Sequence, residues 1–323
     1  MSPAPALQKV AIVGAGGRVG GEFAKALLKT GNHTVTAITR AGSKSSLPDG
    51  IQTIEVNYDD EESIVAACKG QQFLAITLGV TAPPDLHGKI VKAAVSAGVK
   101  YIMPNVYGYD PENINLTSGN SYSAMSAGRL KEVTSAGGTY IALTCGFWYE
   151  WSLGLGMYGI DIANKTVVLM DDGKTKICTS TFPQCGRAFA ALLSLPESGA
   201  SPCLADWKNK PVYMNSFLVS QRDMLDSVNR ANGTKDEDWT ITHEGSEQRH
   251  KDAMEKMKTG DRRAFATAMY SRMFFQNGDG DYTSRGLANE VLGLPKENLD
   301  EATKVVVKMV DKGYSLATVG MGS

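Results

Sequence analysis

The sequence predicts an α/β protein in which a doubly wound parallel sheet is followed by a smaller, mainly helical C-terminal lobe. Short runs of β-branched and apolar residues alternate with helical segments through the first half of the 323 residues. A glycine-rich turn joins the first run to the first helical segment, and the alternation stops after Gly146. Strands that alternate with helices in this way favour a parallel sheet covered on both faces, with right-handed crossovers.

Each element of the first half carries its own signal. The first strand, KVAIVGA, begins at Lys9 and ends in glycine, as a buried parallel strand does. The helix after it ends at Gly31, a residue suited to the left-handed position at a helix C terminus. The acidic residues 60–62 favour the first turn of a second helix, and Pro83 introduces a third. The remaining predicted strands are HTVTAIT, IQTIEVNY, QQFLAITLG, KYIMPN and TYIALTCG, with the helix SAMSAGRLKEVTSAGG before the last.

The pattern also predicts how the chain divides. We expect the main domain to comprise residues 1–150 and to regain two later segments. These are the helix QCGRAFAALLSL, near residues 183–195, and the strand KPVYMNS, near residues 210–216. The rest of residues 151–323, interrupted by NGDGDY and LGLP, is expected to form most of the second lobe.

Composition argues against several kinds of partner. Lys and Arg number 33 against 34 Asp and Glu, so the net charge of −1 gives no field to attract nucleic acid or an anionic membrane. The opening MSPAPALQ lacks the parts of a signal peptide and no apolar run reaches membrane-span length, so a cytoplasmic protein is expected. Five scattered cysteines without a C-x-x-C pair indicate reduced, mostly buried thiols, and the four histidines show no metal-ligand spacing.

The glycine-rich turn VGAGGRVGG is the strongest functional signal. Gly14, Gly17 and Gly20 stand three apart between a strand and a helix. A side chain at these positions would obstruct, in turn, the tight turn, the approach of a pyrophosphate and the packing of helix on strand. The helix N terminus offers N–H groups to that pyrophosphate. We therefore predict a dinucleotide site that also includes Gly16, Arg18 and Val19.

The end of the second strand indicates which dinucleotide binds. An NAD site would place Asp or Glu there for the ribose 2′-hydroxyl, whereas this chain has Thr39 and Arg40, followed by Ser43 and Lys44. Arg40 can give two parallel N–H bonds to a phosphate, and Lys44 and Ser43 add a charge and a hydroxyl donor. NADP is the predicted cofactor. The alternative is a solvated loop with two exposed cations.

Several blocks of sequence resemble a known family. VGAGGRVGGEFAKALL, TRAGS, TLG, VKYIMPNVYGYDP and ALTCGFWYEWSL are together similar to the NmrA-like and isoflavone-reductase-like atypical short-chain dehydrogenases, in particular their fungal oxidoreductase-like branch. The resemblance implies an NADPH-binding Rossmann domain with a C-terminal substrate lobe, and it extends over nearly the whole chain. The implied cofactor site gains Asp59, Thr77, Leu78, Gly79 and Asn105.

The chain departs from this family near the expected active site. In the reductase branch, a lysine near the start of the helix after the fifth strand acts at the active site. Alignment through GGTYIAL places Ser126 and Gly128 where lysines are expected, so that lysine is absent. The Tyr-x-x-x-Lys pair of ordinary short-chain dehydrogenases is incomplete as well, because Ser126 follows Tyr122. Val106 replaces the glutamate that related sequences carry in PNEYG.

Candidates for chemistry remain. Reduction of a carbonyl or an activated alkene needs a proton donor, which a tyrosine hydroxyl can be. Tyr122 is the predicted donor, Ser126 its assistant on the same helical face, and Asn105 the group that orients the substrate. Tyr107 follows the same strand end and is predicted to contact the substrate. The alternative for Tyr122 and Ser126 is a role in loop capping and helix packing.

Aromatic residues after the sixth strand offer a wall for a flat substrate. Phe147, Trp148 and Trp151 are the predicted substrate contacts, although such clusters more commonly form core. His87 alone among the histidines has a path to the cleft, and a satisfied core or surface histidine is the preferred interpretation.

Three functions fit these patterns. The favoured one is an NADPH-dependent reductase of a small aromatic or polyketide-like carbonyl or conjugated substrate. The absent lysine favours an NADP(H)-binding regulator or redox sensor without turnover, and a dehydratase or cyclase on the same fold is a third possibility.

Overall fold

The structure is a computed structural model that describes residues 3–79, 81–119, 121–261 and 264–319, without the side chains of residues 118, 119 and 121–123. The strands are β1 Lys9–Val13, β2 Thr34–Arg40, β3 Gln52–Val56, β4 Phe73–Ile76, β5 Tyr101–Met103, β6 Ile141–Thr144, β7 Phe147–Trp148, β8 Ile160–Asp161, β9 Thr166–Met170, β10 Ile177–Ser180, β11 Lys210–Tyr213, β12 Phe217–Val219 and β13 Thr240–Glu244. The α-helices are α1 Arg18–Thr30, α2 Glu61–Cys68, α3 Leu86–Ser96, α4 Ile114–Gly119, α5 Ser121–Ser135, α6 Tyr149–Gly154, α7 Phe182–Ser194, α8 Gln221–Asn232, α9 Ser246–Lys258, α10 Ala264–Met273 and α11 Leu299–Asp311.

The central sheet is parallel and doubly wound, which confirms the predicted fold class. Its order is β3-β2-β1-β4-β5, and every neighbouring pair runs in parallel. A bridge between Ile102 and Tyr140 extends it towards β6, which pairs in parallel with β11. The chain moves from β1 to β2 and β3, then crosses to β4 on the other side. The carboxyl ends of β1 and β4 therefore form the switch point at which open α/β sheets bind ligands.

Local signals explain the helices that flank this sheet. Gly31 ends α1 with φ +71°, a left-handed conformation that glycine adopts without strain. At the start of α2, the Asp60 carboxylate accepts a hydrogen bond from the N–H of Glu62. These helices and strands begin and end within a few residues of the predicted bounds.

Residue contacts divide the described chain into two compact units. Unit 1 lies within Met1–Thr144, Phe182–Met214 and Leu287–Leu294. Unit 2 lies within Cys145–Thr181, Asn215–Gly286 and Pro295–Ser323. Helix α7 and strand β11 both belong to unit 1.

Unit 1 holds α7 tightly against α1. A Cβ on Gly186 of α7 would lie 2.7 Å from the carbonyl oxygen of Glu22, so a larger residue would push these helices apart. Phe189 of α7 stacks on Phe23 of α1 with ring centroids 4.2 Å apart. This contact explains why the apolar face of α7 returns to the first half of the chain.

Unit 2 combines helices with two three-stranded sheets, ordered β12-β10-β7 and β13-β9-β8. The sequence from Gln221 onward predicts a helical tail, yet it contains β13, which pairs in parallel with β9. Strand β13, with the sequence TITHE, is mostly exposed, and it adopts its strand conformation because it pairs with β9, which is distant in the chain. Local β-propensity does not predict such a pairing.

Two further features concern the cysteines and the character of the helices. All five cysteines are free and buried. Among the helices of the described ranges, none has both the length and the apolar character needed to cross a bilayer.

Candidate functional site

The glycine turn between β1 and α1 is built around Thr77, at the end of β4. Gly14 has φ +83°, and a Cβ on it would lie 2.7 Å from Thr77 Oγ1 and overlap the Thr77 carbonyl oxygen. A Cβ on Gly20 would lie 2.5 Å from the same Oγ1 and overlap the carbonyl oxygen of Gly14. The Thr77 hydroxyl donates to the carbonyl of Val13 at 2.8 Å. Gly14 and Gly20 therefore allow the close packing of strand, strand and helix.

Gly17 has a different environment. It is the N-cap of α1, with φ −80° and ψ 172°, a conformation open to any residue, and no side chain caps the helix. A Cβ on Gly17 would meet one neighbour within 4 Å, the Gly14 carbonyl oxygen at 3.1 Å. The first turn of α1 carries no acidic residue. An uncapped N terminus with this open space fits a phosphate group, because helix N termini present N–H groups without intrahelical acceptors.

Gly16 makes room for the loop that follows β2. A Cβ on Gly16 would lie 2.5 Å from the Cβ of Ser45. A cleft of about 430 Å³ lies beside this contact, between Gly16, Gly17 and Arg18 on the turn and residues 46–48 on the loop. The loop after β2 therefore borders the glycine turn within unit 1.

Two cations lie at the end of β2 and on the loop that follows it. Arg40 and Lys44 are exposed and form no ion pair with any residue of the described ranges. Ser43 donates its N–H to the carbonyl of Arg40 at 3.1 Å and its hydroxyl to Ser45 at 3.2 Å. Thr39 is half-buried at the end of β2. The end of β2 and the loop after it thus carry two positive charges without an ion-pair partner in the described ranges.

Asp59 and the segment after β4 complete the residues predicted to bind a cofactor. Asp59 is exposed after β3, and its N–H donates to the side chain of Asn57 at 3.0 Å. The carbonyl of Leu78 accepts a hydrogen bond from Asn105 Nδ2 at 3.0 Å. Gly79 is exposed, and a Cβ on it would meet no atom within 4 Å.

The backbone N–H and the backbone carbonyl of Asn105, after β5, both form hydrogen bonds to side chains. Its N–H donates to His87 Nε2 at 3.3 Å, and its carbonyl accepts from Arg129 at 2.7 Å. Its side-chain amide donates to the Leu78 carbonyl. Asn105 thus joins the ends of β4 and β5, and its amide nitrogen is engaged within the protein.

Tyr107 lies in the core of unit 1. Its side chain is 4% exposed, and its hydroxyl donates to the carbonyl of Ile76 at 2.8 Å. Its ring meets Phe23 edge to face, with centroids 5.8 Å apart. The prediction that Tyr107 contacts the substrate is therefore at odds with its placement, because contact would require its hydroxyl bond to break and its ring to leave the core.

The other residues of the predicted catalytic set differ in how far they are described. Ser126 is buried in α5, with 3% of its surface exposed. The side chain of Tyr122 lies outside the described part of the structure. Val106, which stands where relatives carry glutamate, is buried against Leu130 and Ala142. An apolar residue at this position is thus explained by packing.

His87 is a satisfied core histidine, the interpretation preferred from sequence. It is 2% exposed, and its Nδ1 lies 2.6 Å from a carboxylate oxygen of Glu132. Burial lowers the pKa of His87, and the hydrogen bond that His87 donates to Glu132 opposes this shift. The sequence does not predict the roles of Glu132 and Arg129, because their hydrogen-bond partners lie on other elements of the chain.

A second polar contact anchors the segment after β5. The Tyr213 hydroxyl, on β11, donates to the carboxylate of Asp110 at 2.6 Å. Asp110 is buried, and it also accepts from the N–H of Glu112 at 2.9 Å. Burial and the neighbouring carboxylates raise the pKa of Tyr213. This hydroxyl therefore holds a loop and stays protonated.

The aromatic residues after β6 belong to unit 2. Phe147 is buried and packs against Tyr270 with ring centroids 4.2 Å apart. Its carbonyl accepts from the Thr179 hydroxyl at 2.5 Å. Trp148 and Trp151 are half-buried. Phe147 therefore contributes to the core of unit 2, while the two tryptophans keep part of their surface accessible.

Known proteins resemble this chain in part or over nearly its whole length. Residues 7–123 match the model of the NmrA-like family. Over 308 residues the chain is 27% identical to "Oxidoreductase aprR" of Aspergillus flavus, an alignment that covers 93% of this chain and 99% of that protein. The N-terminal part of the chain, residues 7–123, is thus similar to the NmrA-like family, and nearly the whole chain is similar to the A. flavus protein.

Solved structures share the fold of this chain. AtPrR2, solved with NADP+ and (+)-pinoresinol, matches with a TM-score of 0.75 and 16% identity, over 93% of this chain and 99% of that one. An isoflavone reductase matches with a TM-score of 0.73 and 20% identity, over the same shares of the two chains. These matches show a Rossmann-like domain with a C-terminal lobe, and they agree with the resemblance found in the sequence.

Proposed function

We propose that this chain is an NADPH-dependent oxidoreductase. The observation that carries the proposal is the uncapped N terminus of α1 at Gly17 together with two exposed cations, Arg40 and Lys44, that lack an ion-pair partner in the described ranges. The first feature suits a pyrophosphate and the second a 2′-phosphate. The A. flavus relative is named an oxidoreductase, and the AtPrR2 structure contains NADP+. Both support the proposal.

The proposal assigns the two ligands to the two units. Unit 1 would hold NADP(H) through the glycine turn, the loop after β2, and the residues that end β4 and β5. Unit 2 would supply the substrate surface, with its half-buried tryptophans Trp148 and Trp151. Aromatic side chains bind flat apolar molecules well, so a small aromatic or polyketide-like carbonyl or conjugated compound is the proposed substrate.

Tyr122 is the proposed proton donor. A bound nicotinamide would supply a hydride, and the protein must then provide a proton at the developing negative charge. The hydroxyl of Tyr107 is engaged with Ile76, and that of Tyr213 with Asp110. The sequence predicts that Ser126 assists and that Asn105 orients the substrate. Their burial and bonding favour supporting roles, in which Asn105 holds the segment after β4.

A second function, an NADP(H)-binding regulator without turnover, has an observation of its own. The family's lysine is absent, and the polar groups of Asn105 and Tyr107 described above bond within the protein. Such an arrangement suits a site that holds a cofactor and reports its presence.

One experiment separates these functions. NADPH is first titrated by calorimetry, and its oxidation is then followed over a panel of quinones, enones and aryl ketones. For a reductase, Tyr122→Phe should lower kcat by about 10²- to 10⁴-fold and leave the Kd for NADPH nearly unchanged. Tyr101→Phe is the matched control, since Tyr101 sits at the amino end of β5, where it bonds to Glu197. Binding without turnover across the panel would favour the regulator, and no binding would reject both functions.

A further inference from the structure

The peptide groups of Asn105 are held by two side chains from two different helices. His87 of α3 accepts the N–H at 3.3 Å, and Arg129 of α5 donates to the carbonyl at 2.7 Å. The side-chain amide of Asn105 donates a hydrogen bond to the carbonyl of Leu78, after β4, at 3.0 Å. We call His87, Arg129 and Asn105 the Asn105 clamp. All of its groups lie in unit 1.

The clamp requires one tautomer of His87. A carboxylate oxygen of Glu132 lies 2.6 Å from Nδ1, so Nδ1 carries the proton that Glu132 accepts. The lone pair of Nε2 is then free to accept the N–H of Asn105. A second proton, on Nε2, would place two N–H groups opposite each other. Protonated His87 therefore cannot keep its bond to Asn105.

Charged groups around His87 come from a few defined positions. Glu132 and Arg129 face it from α5, the first raising and the second lowering the pKa of His87. On its own helix, Asp85 and Lys89 pair with each other at the surface. The acidic residues of α2, Glu61 and Glu62, are exposed. Burial of the imidazole ring has the largest influence on the pKa of His87, and the pKa is lowered overall.

We propose that His87 is a positioning residue for NADP(H), and that protonation of its Nε2 releases the Asn105 clamp and weakens cofactor binding. The inference rests on the proposed function, since the Leu78 segment and Asn105 are assigned to the cofactor site. Loss of the hydrogen bond from the Asn105 N–H to His87 would weaken the hydrogen bond from the Asn105 side chain to the Leu78 carbonyl. His87 thereby couples solution pH to the geometry of the strand ends at the switch point.

The direction of the pH effect follows from the lowered pKa. The clamp is complete where His87 is neutral, above the ordinary imidazole value of about 6.5. As the pH falls through the lowered pKa of folded His87, the clamp is lost. Because a single proton is involved, the Kd for NADP(H) should rise by at most about tenfold for each pH unit below that pKa.

The decisive test compares Kd–pH profiles of three proteins from pH 8 down through the titration of His87, whose position NMR of the wild type establishes. His87→Gln keeps an oxygen that can accept the Asn105 N–H but cannot titrate, so its profile should be flatter than that of the wild type. His33→Gln is the matched control, because His33 is also buried with a lowered pKa but bonds to Leu7 and Ser194, away from the carboxyl ends of the strands. Its profile should follow the wild type. The 2′-phosphate of the ligand titrates near pH 6 in all three proteins, so the difference between profiles is the measured quantity.

A second variant and a spectroscopic readout cover the remaining outcomes. Glu132→Gln removes the charge that raises the pKa of His87, so the midpoint of the profile should move to lower pH. In NMR spectra of the cofactor-free protein, the Asn105 amide resonance should shift with the titration of His87, whether or not NADP(H) binds. Absence of binding would therefore reject the proposed function without deciding on the clamp. Equal profiles for wild type and His87→Gln, or an Asn105 amide that ignores the titration of His87, would overturn the inference.

Discussion

The two ends of the candidate site in unit 1 differ in how their polar groups are used. At the turn after β1 and the loop after β2, the N terminus of α1 lacks a side-chain cap, and Arg40 and Lys44 have no ion-pair partner in the described ranges. At the end of β5, Asn105 and Tyr107 bond to neighbouring parts of the same unit. The first end has groups available for a ligand. The second has groups that stabilise each other.

This difference shows which functional statements a local sequence pattern can support. The glycine turn owes its function to residues close together in the chain, so their spacing predicts it. The roles of Asn105 and Tyr107 depend on Ile76, Leu78 and His87, which the fold brings to them from other elements. A polar residue at a strand end is therefore a weak predictor of catalysis until its partners are known.

The largest expected effect concerns the structural glycines of the turn. In Gly20→Ala, the new Cβ would lie 2.5 Å from Thr77 Oγ1 and overlap a backbone oxygen. Such overpacking costs about 1 to 3 kcal/mol or more, so we expect a lower Tm together with loss of NADP(H) binding. Differential scanning calorimetry and titration measure both. The control is Gly21→Ala, whose Cβ would keep an ordinary 3.4 Å contact with the Ala15 carbonyl and whose Tm should not fall.

The next effect concerns the exposed cations. Arg40→Ala would remove the proposed charge-assisted bond to the 2′-phosphate, worth about 1.5 to 3 kcal/mol, or roughly ten- to a hundredfold in affinity. The loss should fall on NADPH and spare NADH, since NADH lacks the 2′-phosphate. Titration with both cofactors measures the preference. An unchanged preference would mean that Arg40 belongs to a solvated loop.

The smallest effect lies at the end of β5. Tyr107→Phe removes the hydroxyl that donates to Ile76, which should lower the free energy of unfolding by about 0.5 to 1.5 kcal/mol. The Kd for NADPH and any kcat should change little, because the ring keeps its contact with Phe23. Chemical denaturation and kinetics on the same preparation test this. A large fall in kcat at unchanged stability would instead give Tyr107 a direct role in the reaction.

Much of the fold follows from the sequence, and the exceptions share a cause. The parallel strands β1 to β5 and their helices carry complete local signals, such as Gly31 at the end of α1 and Asp60 at the start of α2. Strand β13 carries no such signal, because its conformation comes from pairing with β9. Gly186 is similar, since its small size matters through contact with Glu22 on another helix.

The candidate site divides in the same way. The spacing of Gly14 and Gly20 predicts their role in packing, and the missing acidic residue draws attention to Arg40. Two contacts could not be predicted, because each joins separate elements of the chain. They are the close approach of Gly16 to Ser45 and the hydrogen bond from Arg129 to the carbonyl of Asn105. The burial of Ser126, by contrast, agrees with the alternative that the sequence offers for it, a role in helix packing.

The most direct test of the central claim is the titration of Gly17→Val with NADPH. Gly17 has backbone angles open to any residue, so the variant should fold, and circular dichroism with a Tm close to that of Gly21→Ala would establish this. The account predicts that the folded variant loses NADPH binding, because the new side chain occupies the space of the pyrophosphate. A folded Gly17→Val protein with wild-type affinity for NADPH would contradict it.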